Sequence, residues 1–460
     1  MRKTSSSAVR FRPTLALILL YALLVVVEVA GGASRADASG QVIVRTAAWA
    51  ALIGGLLFGT RPDLRGARAV VMLLAAAIAL PLVQLVPLPP AMWTALPGRD
   101  LITHAASVAG EPQPWRPWAI TPGPTMNAAS SLIVPAAVLW LMLSLGVEER
   151  RRLPGFLLFL VLVSTLIGLV QVSSFSFDNP LINESPRTVS GTLANRNHFA
   201  LLMALGCPLA SVWAFGAREV HPWRQVAGLA SMALFLVAIL VSGSRAGLLL
   251  GSLGLGMALF LSGTTARKAL GRYPRWLFPT LVAGVLAIVL GLGLLSVGAD
   301  RAVSINRLFA NDPGQDMRTR GLPTVLSMIT DYFPLGSGLG GFDPIFRIHE
   351  PFELLKSSYF NHAHNDFLEI AIDAGLPGLA LLLAALCWWV WASVRAWRAS
   401  SGPDVMLARL GSAMLLLVML ASVFDYPART PAIMVLVAIA GVWLSGCTGV
   451  RRASALPAAA

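Results

Sequence analysis

Apolar runs of about twenty residues, separated by short polar connections, dominate this sequence. Leu277–Gly298 and Leu379–Val394 carry no charged residue at all. At about 1.5 Å rise per residue, runs of that length match the hydrocarbon thickness of a bilayer. The pattern predicts twelve helical spans, beginning near residues 14, 42, 69, 126, 154, 198, 226, 246, 277, 374, 405 and 431. Three connections are long. Residues 87–125 are rich in Pro and Trp (Pro87, Pro89, Pro90, Trp93, Trp115, Trp118), which suggests an ordered segment at the headgroup interface. Residues 173–197 form a polar loop, and residues 299–373 alternate turn signals with short helical patterns. The expected organisation is spans 1–3 with the Trp/Pro-rich loop (1–125), spans 4–9 (126–297), one large loop (298–373) and spans 10–12 (374–460).

Composition agrees with this class. Of 460 residues, 56% are apolar and only 12% charged, against about a quarter charged in soluble domains; the mean hydropathy is +0.72. The net charge of +13 forms no single patch, so no nucleic-acid partner is expected. The basic residues recur between spans instead, as Arg61/Arg65/Arg68, Arg150/Arg151/Arg152, Arg218/Arg224, Arg267/Lys268/Arg272/Arg275, Arg395/Arg398 and Arg451/Arg452. With both termini in the cytoplasm, all of these clusters fall inside, as the positive-inside rule requires. The three cysteines, Cys207, Cys387 and Cys447, lie in apolar runs and suggest no disulfide framework. The N-terminus has the basic start and apolar stretch of a secretory signal, but its length and the spans that follow favour an uncleaved first helix. Glu28 near its end is expected to face protein or water rather than lipid.

The outer side should then be poor in Arg, yet it holds Arg196, Arg245, Arg301, Arg307, Arg318, Arg320, Arg347 and Arg429. Long loops escape the charge rule, and some Arg bind lipid headgroups. Arg245 and Arg429 sit in short connections at span ends, where that explanation is weaker. The guanidinium fork suits bidentate phosphate contact, so these residues are candidate binders of a phosphate-bearing lipid.

The stretch Asn361-His-Ala-His-Asn-Asp-Phe-Leu-Glu-Ile-Ala-Ile-Asp-Ala-Gly-Leu-Pro-Gly378 is the densest in chemistry. With Asn361 as N-cap, His364 would fall in the first helical turn, at the tip of a face shared with Phe367, Leu368, Ala371 and Ile372. The helix dipole there opposes an imidazolium and favours the neutral ring a general base needs. Two other readings of His362 and His364 stay open: ordinary loop hydrogen bonds, or a metal site using the His-x-His spacing with Asp366 or Glu369.

The spacing His364-Asn365, nine residues, Gly375, two residues, Gly378 resembles the signature of the bacterial O-antigen ligase and O-antigen polymerase superfamily. Further pieces in matching order are Gly191-Thr-Leu-Ala-Asn-Arg-Asn-His198, Ser242-Gly-Ser-Arg-Ala-Gly247, Arg320 ahead of Phe333-Pro-Leu-Gly-Ser-Gly-Leu-Gly-Gly-Phe342, and Asp425-Tyr-Pro-Ala-Arg429. The resemblance spans roughly residues 150 to 445. It implies a GT-C-like, all-α polytopic glycosyltransferase of the inner membrane with a large periplasmic loop between spans 9 and 10. The implied donor is a glycan on undecaprenyl diphosphate; the acceptor is the lipid A core (ligase) or another lipid-linked glycan (polymerase). Membrane lipids surround it, and neither cofactor nor metal is implied. On this resemblance His364 is the base and Asn365 orients it or the acceptor. Arg245, Arg320 and Arg196 bind the diphosphate, with His198, Arg318 and Asp425 as further substrate-site candidates. Asp425 alternatively pairs with Arg429. Gly338, Gly340, Gly375 and Gly378 shape loops and the entry to the tenth span. The alternative class is a secondary transporter or lipid-linked glycan flippase, against which stands the absence of paired halves: one long loop lies between spans nine and ten with no counterpart in the first half.

Overall fold

Eleven of the twelve expected apolar runs form helices in the computed structural model, which describes residues 12–172, 179–182, 188–216, 221–270, 317–355, 360–400 and 402–446, with the isolated positions 276, 280 and 283. The run from residue 277, Arg301, Arg307 and the basic pair Arg451/Arg452 lie outside the described residues. In chain order, α1 (Leu15–Ala30), α2 (Ser39–Phe58) and α3 (Arg68–Gln84) precede a two-stranded antiparallel ladder, β1 (Pro87–Leu88) with β2 (Arg116–Pro117), which encloses the short α4 (Pro90–Thr94) and α5 (Asp100–Val108). Next, α6 (Pro122–Ser131) and α7 (Ile133–Ser144) run on as one span, followed by α8 (Val147–Val172), α9 (Arg196–Phe215), α10 (Pro222–Ser242) and α11 (Arg245–Leu270). The loop helices α12 (Met317–Tyr332) and α13 (Phe342–His349) lead to α14 (Asp366–Arg398), α15 (Pro403–Phe424) and α16 (Pro431–Ser445). Among the described residues nine helices are long and apolar enough to cross a membrane, while α1 and α16 are apolar but shorter. The protein is an all-α polytopic membrane protein.

Helix α9 is the hub, with 94% of its apolar window buried among α8, α10, α11 and α15. Because lipid tails are as apolar as leucine, such contacts depend on close fit rather than on escape from water. Gly254 of α11 illustrates it: a Cβ there would collide with the Ala204 carbonyl oxygen of α9. The periphery is apolar and exposed, as at Leu57, Phe58 and Phe260, which is the surface a lipid-facing bundle needs.

A second, smaller core caps one end of the bundle. Phe342 and Phe346 of α13, Val325, Met328 and Tyr332 of α12, and Phe360 pack there away from the main core. The Pro/Trp-rich segment packs on this cap rather than simply lying flat at an interface. Trp93 is buried and donates to the Pro117 carbonyl (2.8 Å), although Trp115 is exposed. Arg99, fully buried, donates to the carbonyls of Pro97, Trp118 and Gly336 at 2.7, 2.8 and 3.1 Å. Ile120 N–H donates to the Ser337 carbonyl (2.8 Å). The segment thus braces the glycine-rich run, whose Gly336, Gly338 and Gly340 all have positive φ.

The tenth span starts close to the expected residue 374: α14 is two helical segments that meet at Gly375, whose φ of +51° and ψ of −141° are not helical, so a short helix from Asp366 leads into the apolar span beyond the break. A Cβ at Gly375 would strike the Pro334 carbonyl oxygen of the glycine-rich run. Gly375 is therefore where cap and bundle meet, and Gly378 one turn on packs against Ala374 and Ile370.

Candidate functional site

Four sequence pieces meet at the buried carboxylate of Asp425, which follows the last residue of α15. Its Oδ1 accepts from His364 Nδ1 (3.0 Å) and from the Tyr426 backbone N–H (3.1 Å). Its Oδ2 accepts from Asn197 Nδ2 (2.6 Å) and Asn195 Nδ2 (3.1 Å), with the Arg318 guanidinium at 3.5 Å. Asn195 is the N-cap of α9, its Oδ1 accepting from the Asn197 N–H (2.8 Å), so Asp425 lies at the positive end of that helix. Asn197 Oδ1 accepts from the Ser244 hydroxyl (2.8 Å), which places the turn carrying Arg245 one residue from this network. Burial acts to raise the Asp425 pKa. The hydrogen bond from His364, together with the neighbouring His198 imidazole and the Arg318 guanidinium, outweighs it, holding the carboxyl well below the ordinary range.

His364 does not lie on α14. The expected Asn361 cap gives way to Asn365, whose Oδ1 accepts from Phe367 N and Leu368 N (3.0 and 3.1 Å). His364 precedes that cap in the left-handed region, at φ +51°. An Asn competes for the cap whenever it can reach two free amides, and Asn365 reaches both. The left-handed turn swings the imidazole away from the Phe367/Ile372 face and onto Asp425. With an anionic carboxylate at Nδ1, the ring proton belongs on Nδ1 and the Nε2 lone pair is left for chemistry; that side chain is 18% exposed. The Asn365 amide is spent on its cap and on the Val423 carbonyl (3.0 Å). It ties α14 to the end of α15.

A second imidazole–carboxylate pair lies beside the first. His362 Nδ1 meets Glu369 Oε1 at 2.9 Å, and Tyr426 packs between the rings, 4.1 Å from His362 and 5.0 Å from His364 by centroids. Glu369 also accepts from Arg429 (3.1 Å). Asp366 and Asp373 lie 3.5 and 3.6 Å from the same guanidinium. Asp425 therefore pairs with His364 and Arg318, not with Arg429. Burial acts to lower the Arg429 pKa, but the three carboxylates more than reverse it and keep the side chain charged. Gly340 N–H donates to Asp373 Oδ2 (3.0 Å), and Gln84 bridges the Asp373 carbonyl and Leu339 N–H (3.0 and 2.9 Å). Gly338 N–H donates to the Asp373 carbonyl (2.8 Å). The glycine run is thus a scaffold for the acidic end of α14.

The other expected residues separate. His198 is buried on Thr430 (3.0 Å) with its Nε2 4.0 Å from Asp425, inside the network. Arg196 and Arg245 begin α9 and α11 at the same end of the bundle. Arg320 donates instead to the Glu353 carbonyl (2.8 Å), away from the partners of Arg318. Glu28 faces protein, accepting from the Thr192 hydroxyl (3.1 Å). Sequence reasoning missed the Arg429 cluster as a unit. Its signal was present: Asp366, Glu369 and Asp373 are spaced i, i+3 and i+7 on one face of an otherwise apolar helix.

A cavity of about 980 Å³ opens beside this cluster. Its polar end holds Asn361, His362, Asp366 and Arg429, while its length is walled by apolar residues of α3, α7, α14, α15 and α16, such as Leu74, Leu381 and Val437. Along α3 it runs from Pro81 back to Val70, about 16 Å at 1.5 Å per residue. Fold and site together define a polytopic membrane protein with a buried His–Asp pair and, next to it, an ion cluster that opens on a long apolar cavity. Residues 230–383 match the family model Wzy_C, described as O-antigen ligase. The match includes Arg245, Arg318, the glycine run and His364, and leaves Asn195, His198, Asp425 and Arg429 outside it. No curated protein matches the chain.

Proposed function

We propose that the protein is an inverting glycosyltransferase that moves a glycan en bloc from undecaprenyl diphosphate to an acceptor hydroxyl at the periplasmic face of the inner membrane, with both of its own termini in the cytoplasm. The observation that carries this reading is the His364–Asp425 pair, built from separate motifs and separated by Tyr426 from His362, which lines a cavity that is polar at one end and apolar along its length. A single-chain lipid with an anionic head has the same two-part character. The acceptor is the lipid A core or a second lipid-linked glycan.

In the proposed step His364 Nε2 takes the acceptor hydroxyl proton as that oxygen attacks the anomeric carbon from the face opposite the diphosphate. The sugar–oxygen bond breaks with its electron pair going to the diphosphate, so the anomeric configuration inverts. Asp425 stabilises the imidazolium as it forms, as in a nucleophile–base–acid triad. Developing charge on the leaving group calls for nearby guanidinium groups, for which Arg245, Arg196 and Arg318 are the candidates at this end. Arg320 is a weaker candidate, because its guanidinium is engaged with the Glu353 carbonyl.

The test uses purified protein with a lipid-linked glycan donor and each acceptor in turn, product being read on gels. Transfer by the wild type and its loss in His364→Ala, with the melting temperature retained, are the expected results. Failure of the wild type on both acceptors would refute the activity, and near-normal transfer by His364→Ala would refute the base. The acceptor that gains glycan separates ligase from polymerase.

A further inference from the structure

The charged groups on the cavity wall do not balance. Arg35 is paired with Asp37, His362 with Glu369, and Arg429 with three carboxylates. The wall carboxylates are likewise taken: Asp37 by Arg35, Asp343 by Arg347 (2.8 and 3.0 Å), and Asp366 by Arg429 and the Ser422 hydroxyl (2.8 Å). Arg45 is the exception among the described residues. It lines the same cavity, yet donates only to neutral groups, Ser130 Oγ at 2.8 Å and Gln41 Oε1 at 3.3 Å, and its buried Nε has no partner. It lies six residues into α2, about 9 Å along the axis from Ser39. The side chain is half-buried, and a charge within an apolar span marks a site for a polar or ionic ligand.

We infer that Arg45 binds the phosphate of the long-chain lipid that occupies this cavity, through the charge of its guanidinium. A guanidinium without a carboxylate attracts an anion, and its planar fork matches two phosphate oxygens. The apolar wall that continues from it commits the ligand to a phosphate carried on an extended apolar chain rather than to free phosphate. Ser130 and Gln41 hold the fork in place without neutralising it. This deepens the donor site of the proposed function and rests on that reading for the lipid's role. It adds α2, far from the matched segment 230–383, to the machinery.

The experiment measures binding of undecaprenyl diphosphate, undecaprenol and inorganic diphosphate to the full chain in detergent, for wild type, Arg45→Gln and Arg45→Lys. Losing a hydrogen bond to a charged group predicts weakening of undecaprenyl diphosphate binding by roughly tenfold or more in Arg45→Gln. Undecaprenol binding should be unchanged, inorganic diphosphate should bind far more weakly than the lipid, and Arg45→Lys should recover only part of the loss. Unchanged undecaprenyl diphosphate binding in Arg45→Gln would overturn the inference, as would equal losses for the uncharged alcohol. Tight binding of inorganic diphosphate would overturn the lipid assignment. Because binding is read without transfer, failure of the glycosyltransferase activity and failure of this site are separate results.

Discussion

Asp425→Asn is the sharpest perturbation of the His–Asp pair. The change conserves shape and removes one charge, but an amide cannot satisfy the network. Asp425 accepts at both oxygens, from His364 and the Tyr426 N–H on one side and from Asn195 and Asn197 on the other. Either orientation of the new amide turns an N–H toward a donor. If its NH2 faces His364, the ring must present Nδ1 as acceptor, which moves the proton to Nε2 and removes the base. If its oxygen faces His364, the transition state still loses the carboxylate charge beside the imidazolium. Two unit charges about 4 Å apart at an effective dielectric of about 20 interact by about 4 kcal/mol, equivalent to roughly 10³-fold in rate. The expected result in the reconstituted transfer assay is a fall in kcat of about that size with little change in KM. His364→Ala combined with Asp425→Asn should lose little beyond His364→Ala alone, because the residues act as one unit. The depressed Asp425 pKa fixes the sign with pH: its contribution to stability is complete above the unfolded carboxyl value of about 3.9 and declines only as pH falls toward the lower folded value. Asp425 therefore stays ionised across pH 5 to 8 and contributes no limb to the rate profile there. Retention of more than a tenth of wild-type kcat by a folded Asp425→Asn protein would refute the reasoning.

Two further outcomes concern the scaffold. Arg429→Ala leaves Asp366, Glu369 and Asp373 without their shared cation, and breaking a buried pair costs about 3–5 kcal/mol; a large drop in melting temperature in detergent is expected, and a wild-type value would contradict the ion-cluster assignment. Gly375→Ala places a Cβ in the left-handed region against the Pro334 carbonyl, at a cost of about 2 kcal/mol or more. It should lower both the melting temperature and transfer by separating the glycine run from α14, whereas an unperturbed protein would show that this junction tolerates movement.

The membrane class and the positions of eleven helices were legible in the chain because each rests on local properties. A bilayer reads hydrophobic length directly, so the runs declare themselves, as at α15 and α16. The spacing from His364 to Gly378 marks a stretch of chemistry whatever its conformation. The cap was harder. Asn361 and Asn365 are the same residue type four positions apart, and the choice between them depends on whether His364 gains a partner outside the helix. That partner, Asp425, is 61 residues away in sequence. The same limit hid the division of labour between Arg318 and Arg320, which face different neighbours on one helix.

Sequence alone determined which segments are apolar enough to leave water and which residue types could move a proton or hold a phosphate, since hydropathy and side-chain chemistry are carried by each residue wherever it lies. Only the tertiary structure decided that His364 pairs with Asp425, that Arg429 gathers three acids, and that Arg45 stands beside the cavity without a counter-charge. Electrostatic partnership depends on distance in space, and helices crossing a bilayer bring together residues hundreds of positions apart by packing that no local pattern encodes.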